Sequence, residues 1–310
     1  MLRWRLLLGT LLIAAMIGLC WLDMRAAVPG AWMMPLAILA AVACTQEVLE
    51  LASFANLRPL RSTVYCGNVL LTSSSWLAVV LVLAGNHWTL PSSGDPVFWW
   101  LGSSMITYCV LGGAVLSVVF GEMARYEKPG GNLANIAVGT FVLLYVGLAL
   151  HFAVQMRIGW GIGALAAWVI VVKMGDIGAY TVGRLIGRHK MAPLISPGKT
   201  IEGAFGSLAF SCLGAWLAFR FVVPWTAQHS AVAMRWSHPW SLWWGWIAFG
   251  LLVGAAGMLG DLAESLLKRD VGRKDSSTWL PGFGGVLDIL DSLLLSAPVA
   301  WACWFFGLVG

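Results

Sequence analysis

The residues best suited to chemistry lie in two short stretches of the C-terminal half, in a chain whose charged residues make up only 11% of 310. In the later stretch, four polar residues are spaced i, i+3, i+4 and i+7, so a helix would place them on one face: Asp261, Glu264, Ser265 and Lys268. Asp288 and Asp291 would share a face where the following helix begins. Charges at the edge of apolar segments are costly and usually functional, so this stretch predicts a site.

Carboxylates at two neighbouring helix ends could hold a hard cation. Mg²⁺ takes one or two carboxylates and completes its shell with substrate phosphates and water. We therefore predict that Asp261, Asp288 and Asp291 bind Mg²⁺, with a second cation as a further possibility. The alternative is that these carboxylates only cap helices and pair with nearby cations. Capping would explain Asp288, but it explains poorly why Asp261 lies within an apolar helix.

The earlier stretch, residues 176–203, is rich in glycine, lysine and hydroxyl groups. Gly198-Lys199-Thr200 resembles the end of a phosphate-binding P-loop. The likeness is incomplete, because Pro193 stands where the motif needs glycine and no strand is predicted before it. Backbone N–H groups and the Lys199 ammonium could still hold phosphates.

The elements that must position these residues are membrane helices. Hydrophobic residues make up 59% of the chain, and its mean hydropathy is +0.82. Apolar runs long enough to span a bilayer recur throughout. We predict an all-α, polytopic integral membrane protein with about nine transmembrane helices, at residues 6–22, 31–51, 64–84, 97–120, 133–153, 159–182, 203–223, 240–267 and 290–309.

The basic residues orient these helices. With the N-terminus in the cytoplasm, fourteen Lys and Arg fall in inside segments and three outside, among them Arg157. Both polar stretches then face the cytoplasm, and the predicted location is a bacterial-type inner membrane. No polar block exceeds about 30 residues, so we predict a single membrane domain over 1–310, with N-terminal helices in 1–158 and the functional motifs in 159–310.

Cysteine spacing and charge argue against other classes of protein. The six cysteines are scattered and form no Cys-x-x-Cys pair, which predicts neither a disulfide framework nor a zinc site. The formal net charge is +5. Basic residues of a membrane protein mostly report topology and contact with anionic headgroups, so no nucleic-acid partner is predicted.

The two polar stretches together resemble a known family. Their spacing is kept over about a third of the chain, residues 175–292. The later stretch looks like the C-terminal pattern of the phosphatidate cytidylyltransferases, or CDP-diacylglycerol synthases: Ser265-x-x-Lys268-Arg269, Lys274-Asp275-x-Ser277 and Leu280-Pro281-x-Phe283-Gly284-Gly285-Val286-x-Asp288-Ile289-Leu290-Asp291. The earlier stretch is similar to that family's other block: Asp176-x-x-Ala179-Tyr180, Gly183-Arg184 and Ser196-Pro197-x-Lys199-Thr200-x-Glu202-Gly203.

The resemblance implies a nucleotidyltransferase that works at a lipid membrane. It would convert phosphatidate and CTP to CDP-diacylglycerol and pyrophosphate with Mg²⁺, as a homodimer. The implied catalytic residues are Lys199, Ser265, Lys268, Arg269 and Asp288. The implied substrate contacts are Asp176, Tyr180, Ser196, Thr200, Lys274, Gly284 and Gly285, beside the metal ligands Asp261, Asp288 and Asp291.

The chain departs from the family pattern at two positions, with Phe283 in place of His and Ile289 in place of Arg. A divergent, inactive family member is therefore one open alternative. The loss of His is chemically tolerable, because the second pKa of a phosphate monoester is about 6 and phosphatidate can attack CTP without a dedicated base. A secondary transporter or channel with a carboxylate-lined ion path is another alternative, although the sequence shows no convincing repeat.

Overall fold

The described part of the chain consists mainly of helices. The structure is a computed structural model that describes residues 2–83, 96–230, 244–277, 279 and 284–309, and their side chains except those of 2–8, 12, 78, 81–83 and 96–104. This part contains ten α-helices: α1 Leu2–Arg25, α2 Met33–Phe54, α3 Arg61–Leu83, α4 Pro96–Ala124, α5 Asn132–Val142, α6 Ala149–Ile186, α7 Ile201–Leu217, α8 Val223–His229, α9 Gly245–Asp270 and α10 Val286–Phe305. Two π-helical segments join α5 to α6 and α7 to α8, at Leu143–Leu148 and Ala218–Val222.

Six helical runs in the described residues are long and apolar enough to cross a membrane. Apolar side chains cover much of their outer surface, as at Leu39 and Phe205, which are 66% and 70% exposed. Backbone groups satisfied within helices and apolar side chains facing outward suit a lipid environment. The prediction of an all-α integral membrane protein is therefore confirmed. The runs are Met33–Phe54, Met105–Ala124, Asn132–Ile186, Ile201–His229, Gly245–Asp270 and Val286–Phe305.

The longest run breaks at Gly161, where φ is 79° and ψ is −171°, values that favour glycine. Contacts with α10 show the direction of the chain after this break. Trp168 donates through Nε1 to Ser296 Oγ at 2.9 Å. Five residues later, Lys173 Nζ donates to the carbonyl of Ile289 at 3.2 Å. The segment after Gly161 therefore runs antiparallel to α10.

The segment before the break runs the other way. Tyr145 shares a buried apolar cluster with Leu287 near the start of α10. Phe152 then stacks obliquely on Trp301 near its end, with ring centroids 5.1 Å apart. The chain thus reverses its direction at Gly161. This reversal agrees with the prediction of two separate helices at 133–153 and 159–182. The predicted loop at 154–158 is wrong, since helix continues through it to the glycine.

A short β-hairpin lies between α6 and α7, where the sequence predicted only a loop. Strands β1 (Lys190–Ala192) and β2 (Ser196–Thr200) pair antiparallel. Thr200 then caps α7, because its Oγ1 accepts a hydrogen bond from the Gly203 N–H at 3.1 Å. Gly198 and Lys199 lie in an extended strand, so the partial P-loop likeness does not correspond to a phosphate-wrapping loop.

Glycines fix α9 between α7 and α10. A Cβ on Gly260 would lie 2.6 Å from the carbonyl oxygen of Asp291, so the backbones of α9 and α10 touch there. A Cβ on Gly250 would lie 2.7 Å from the Cα of Cys212 in α7. Small residues permit such close approach between membrane helices. This packing sets the polar end of α9 against the first turns of α10.

A buried ion pair joins α1 to α6 near the opposite end of α10. Arg157 Nε lies 2.5 Å from Asp23 Oδ2, and its Nη2 donates to the Asp23 carbonyl at 2.9 Å. Asp23 Oδ1 also accepts from the Trp32 N–H at 2.9 Å. The sequence placed Arg157 in an outside loop, but its side chain is 6% exposed. The loop prediction for Arg157 is therefore wrong. Its charge can lie inside the helix bundle because the Asp23 carboxylate compensates it.

Candidate active site

Asp261 and Asp291 come together where α9 crosses the start of α10. The close contact at Gly260 puts the next residue, Asp261, beside the first turns of α10. Asp261 and Asp291 interact electrostatically as like charges. Asp291 also accepts from Ser292, through its N–H at 2.5 Å and its Oγ at 2.8 Å. The structure therefore brings together two of the three predicted metal ligands.

Lys199 links the earlier polar stretch to this pair. Its Nζ, at the end of β2, lies 2.8 Å from Asp261 Oδ2, and the two side chains are 21% and 36% exposed. Ser265 Oγ donates to Asp261 Oδ1 at 3.4 Å. A lysine, a hydroxyl and two carboxylates from three different elements thus meet at one partly exposed place. The two polar stretches form a single site.

Asp288 has a different environment from its helix neighbour Asp291. Its Oδ1 accepts from Lys268 Nζ at 2.6 Å. Its Oδ2 accepts from the backbone N–H of Gly285 at 2.7 Å and from that of Ser276 at 3.1 Å. Both oxygens are occupied by protein donors, and Asp288 caps α10. The interpretation of Asp288 as a capping residue agrees with this geometry, and a metal role for it stays a prediction.

Lys268 lies between two carboxylates. Its Nζ is 2.5 Å from Glu264 Oε2 on α9 and 2.6 Å from Asp288 Oδ1 on α10. Glu264 is fully buried, and the Lys268 side chain is 13% exposed. A buried charge needs such compensation, because its desolvation is costly. The pair of contacts holds the lysine ammonium at the junction of the two helices.

Asp176 joins the site through Ser292. Ser292 Oγ lies 3.2 Å from Asp176 Oδ2 and 2.8 Å from Asp291 Oδ1. Lys173 Nζ donates to Asp176 at 3.0 Å and to the Ile289 carbonyl at 3.2 Å. A lysine ammonium therefore lies at the backbone of position 289, where the family pattern carries arginine.

Several other predicted residues lie at the edge of this cluster. Tyr180 is 63% exposed and accepts a hydrogen bond from Arg184 at 2.6 Å. Arg269 is exposed and donates to the Ile195 carbonyl in the hairpin at 3.4 Å. Ser196 is half-buried in the hairpin, and Lys274 is exposed in the connection between α9 and α10.

The Gly-Gly pair shapes the start of α10. Gly284 has φ of 87°, and a Cβ there would lie 2.3 Å from Asp288 Oδ2. A Cβ on Gly285 would lie 2.1 Å from Glu47 Oε2. Both glycines therefore let carboxylates approach the backbone, which is a structural role. Phe283, the first departure from the family pattern, lies outside the described residues.

Glu47 of α2 is a site residue that sequence reasoning missed. Its side chain is buried and accepts from the backbone N–H groups of Val286 and Leu287, both at 2.9 Å. Ser276 Oγ lies 2.7 Å from both Glu47 Oε2 and Asp288 Oδ2. These partners are more than 200 residues from Glu47 in the chain. The only sequence signal was an acidic residue inside an apolar helix.

The chemistry of the donor set fits Mg²⁺ at Asp261 and Asp291. Within the described residues, no group of three or more His, Cys, Asp or Glu could hold a metal ion. Two carboxylates are sufficient for Mg²⁺, because it takes its remaining ligands from phosphates and water. Two like charges held side by side would also be stabilised by a bound cation.

The chain is similar in sequence to known proteins over most of its length. A sequence model of the cytidylyltransferase family matches residues 5–306. A phosphatidate cytidylyltransferase of Mycobacterium bovis is 28% identical over 296 residues, which cover 94% of this chain and 86% of the relative. One of Mycobacterium leprae is 40% identical over 170 residues, covering 54% and 49%. One of Chlamydia trachomatis is 33% identical over 180 residues, covering 56% and 55%. The chain belongs to the cytidylyltransferase family.

Proposed function

We propose that this protein is a phosphatidate cytidylyltransferase, which transfers CMP from CTP to phosphatidate and releases pyrophosphate. The observation that carries the proposal is the 2.8 Å ion pair between Lys199 and Asp261, which unites both polar stretches beside Asp291. The named relatives catalyse this reaction according to their names, and one of them aligns with 94% of the chain. Cationic and carboxylate groups at one place suit a triphosphate and its counter-ion.

The basic residues neutralise phosphate charge. Arg269 is exposed at the edge of the site, where a triphosphate can reach it, whereas the Lys199 side chain is 21% exposed and its Nζ is buried beside Asp261. Lys268 is less exposed, and its two carboxylate partners fix its position. Because phosphoryl transfer depends mainly on positioning and on electrostatic stabilisation, these three cations are suited to hold CTP and the lipid phosphate. Ser265 and Ser196 supply hydroxyl contacts.

Asp261 and Asp291 are the residues that would hold Mg²⁺. A cation held there would supply positive charge that neutralises phosphate charge during the transfer. Ser292 orients the Asp291 carboxylate through two hydrogen bonds. Asp288 keeps Lys268 in place and caps α10, and a second cation would need ligands beyond the Asp261 and Asp291 pair.

The reaction needs no dedicated base. An oxygen of the phosphatidate monoester, largely dianionic at neutral pH, forms a bond to the α-phosphorus of CTP. The bond from this phosphorus to the β-phosphate bridging oxygen breaks, and pyrophosphate leaves with the electron pair. The residue Phe283 in place of His is therefore compatible with activity. The Lys173 ammonium at the Ile289 carbonyl offers a cation where arginine is missing.

We propose the membrane arrangement from the charge pattern. The chain would cross the membrane about nine times with its N-terminus in the cytoplasm, since most basic residues then lie inside. The active site would face the cytoplasm of a bacterial-type inner membrane, where CTP is available. The single membrane domain and the homodimer stay predictions. A transporter gains no support, because a site at the meeting point of helix ends and a hairpin does not resemble an ion path through the bilayer.

The test is a turnover assay with a matched pair of variants. The purified protein is incubated with phosphatidate, labelled CTP and Mg²⁺, and the lipid fraction is separated by chromatography. Wild-type protein should yield labelled CDP-diacylglycerol. Asp261→Asn should lower the rate by about a hundredfold or more, because one ligand charge is lost. Asp270→Asn, the same change at the exposed end of α9, should leave the rate unchanged.

Two outcomes would count against the proposal. Full activity of Asp261→Asn would remove the metal assignment. Wild-type protein that forms no labelled lipid would favour the inactive family member. In that case, Phe283→His combined with Ile289→Arg should restore turnover if these two departures are the cause.

A further inference from the structure

A cleft opens at the ends of α2, α3 and α4, apart from the carboxylate site. Its volume is about 530 Å³. Leucines form its apolar wall and three arginines surround it, from the α2–α3 connection, the start of α3 and the residue after α4: Leu49, Leu57, Leu60, Arg58, Arg61 and Arg125. The cleft thus brings together three guanidinium groups from separate segments beside an apolar wall.

The charges at the cleft are compensated only in part within the described residues. There, no carboxylate lies within 4.0 Å of the guanidinium groups of Arg58 or Arg61. Arg125 Nη1 has a long contact of 3.4 Å with Glu122. Glu122 is buried, and it accepts a shorter hydrogen bond from the Leu60 N–H at 2.8 Å. The cleft therefore carries an excess of positive charge.

The cleft lies on the same side of the helix bundle as the active site. The Arg273 guanidinium stacks over the Phe54 ring at the end of α2, 4.0 Å from its centroid. Arg273 belongs to the connection between α9 and α10 that carries Ser276. The cleft thus lies where α2 and α4 end and α3 begins, and in the proposed membrane arrangement this is the level of the lipid headgroups.

We propose that this cleft binds the phosphate of an anionic phospholipid. Arg58, Arg61 and Arg125 would hold the phosphate oxygens, because guanidinium groups bind phosphate in a bidentate manner. The leucine wall would contact the first carbons of the acyl chains. The site is separate from the carboxylates and from Lys268, and the proposal does not depend on the catalytic function.

Native mass spectrometry of the full chain in a zwitterionic detergent measures this binding. The probe is phosphatidylglycerol, which has an anionic phosphodiester and is not the proposed substrate. Arg58→Gln combined with Arg61→Gln should raise the Kd of the tightest bound lipid by about tenfold, because two charge-assisted contacts are lost. Lys128→Gln combined with Lys190→Gln removes the same charge from exposed positions outside the cleft and should leave this Kd unchanged.

A second variant tests the cavity without changing charge. Ser53 lines the cleft, and its hydroxyl donates to the Glu50 carbonyl of its own helix. Ser53→Phe therefore fills the space and should also weaken binding. The proposal is overturned if Ser53→Phe binds like wild type or if the two double variants weaken binding equally. Displacement of the lipid by millimolar inorganic phosphate would assign the arginines to free phosphate and would also overturn it.

Discussion

Replacement of Glu47 by alanine tests whether a distant helix holds the active site together. Glu47 is 2% exposed on α2, and its carboxylate accepts from the first two backbone N–H groups of α10. Ser276 Oγ lies 2.7 Å from the same carboxylate. These contacts position the turn that contains Asp288, which in turn holds Lys268. We therefore expect Glu47→Ala to lower both stability and turnover.

The magnitude follows from the donors that lose their acceptor. A buried donor left unsatisfied costs about 1–3 kcal/mol, so the N–H groups of Val286 and Leu287 together give roughly 2–6 kcal/mol. Ser276 can turn its hydroxyl to Asp288 and adds little. Glu47→Gln keeps one side-chain oxygen as an acceptor but places an amide N–H against donors. It should therefore give a smaller loss in the same direction.

The assay compares Glu47→Ala with Glu50→Ala in the same helix. Glu50 is only half-buried, and its side chain contacts Gln46 at 2.9 Å. The thermal unfolding midpoint in detergent and the rate of labelled CDP-diacylglycerol formation are measured for both variants. Glu47→Ala should have the lower midpoint and the lower rate. If both variants matched wild type within error, Glu47 would not support α10 and the reasoning would be refuted.

Two further predictions concern the packing that positions the site. Arg157→Leu leaves the buried Asp23 carboxylate without its cation and should lower the free energy of unfolding in denaturant by about 3–5 kcal/mol. Arg25→Leu, at an exposed position, should leave this free energy unchanged. Gly260→Ala puts a Cβ 2.6 Å from a backbone oxygen of α10, so it should separate Asp261 from Asp291 and reduce turnover. Gly257→Ala, whose nearest contact is at 3.4 Å, should retain turnover. Equal behaviour within either pair would contradict the corresponding packing argument.

Local patterns were sufficient for the all-α membrane fold and for some of the contacts within the candidate site. Apolar runs predict membrane helices because the bilayer requires both length and hydrophobicity. The i, i+3 and i+4 spacing predicts which residues of α9 share a face, and Lys268 does contact Glu264 four residues earlier. The break in the longest run was predicted a few residues early, since the helix continues until Gly161 allows the reversal.

Contacts between distant segments could not be derived in this way. The hairpin at 190–200 depends on how α6 and α7 bring its ends together, and its composition suggested a loop. Glu47 meets Val286 only because α2 packs beside α10, and nothing near either residue encodes that neighbour. The sequence predicted Arg157 in a loop, because nothing near it in the chain indicates its partner Asp23, which is 134 positions away.

The acidic residues of the site divide into two groups by what fills their oxygens. Glu47 and Asp288 receive backbone N–H groups and therefore hold the start of α10. Asp291 instead accepts from its chain neighbour Ser292, Asp261 contacts Lys199, and the two carboxylates interact as like charges. Asp288 and Asp291 are three residues apart on one helix, so spacing could not separate the two groups. The two groups are separated by whether their donors belong to the start of α10, and this difference supports the proposal that Asp261 and Asp291 hold the cation.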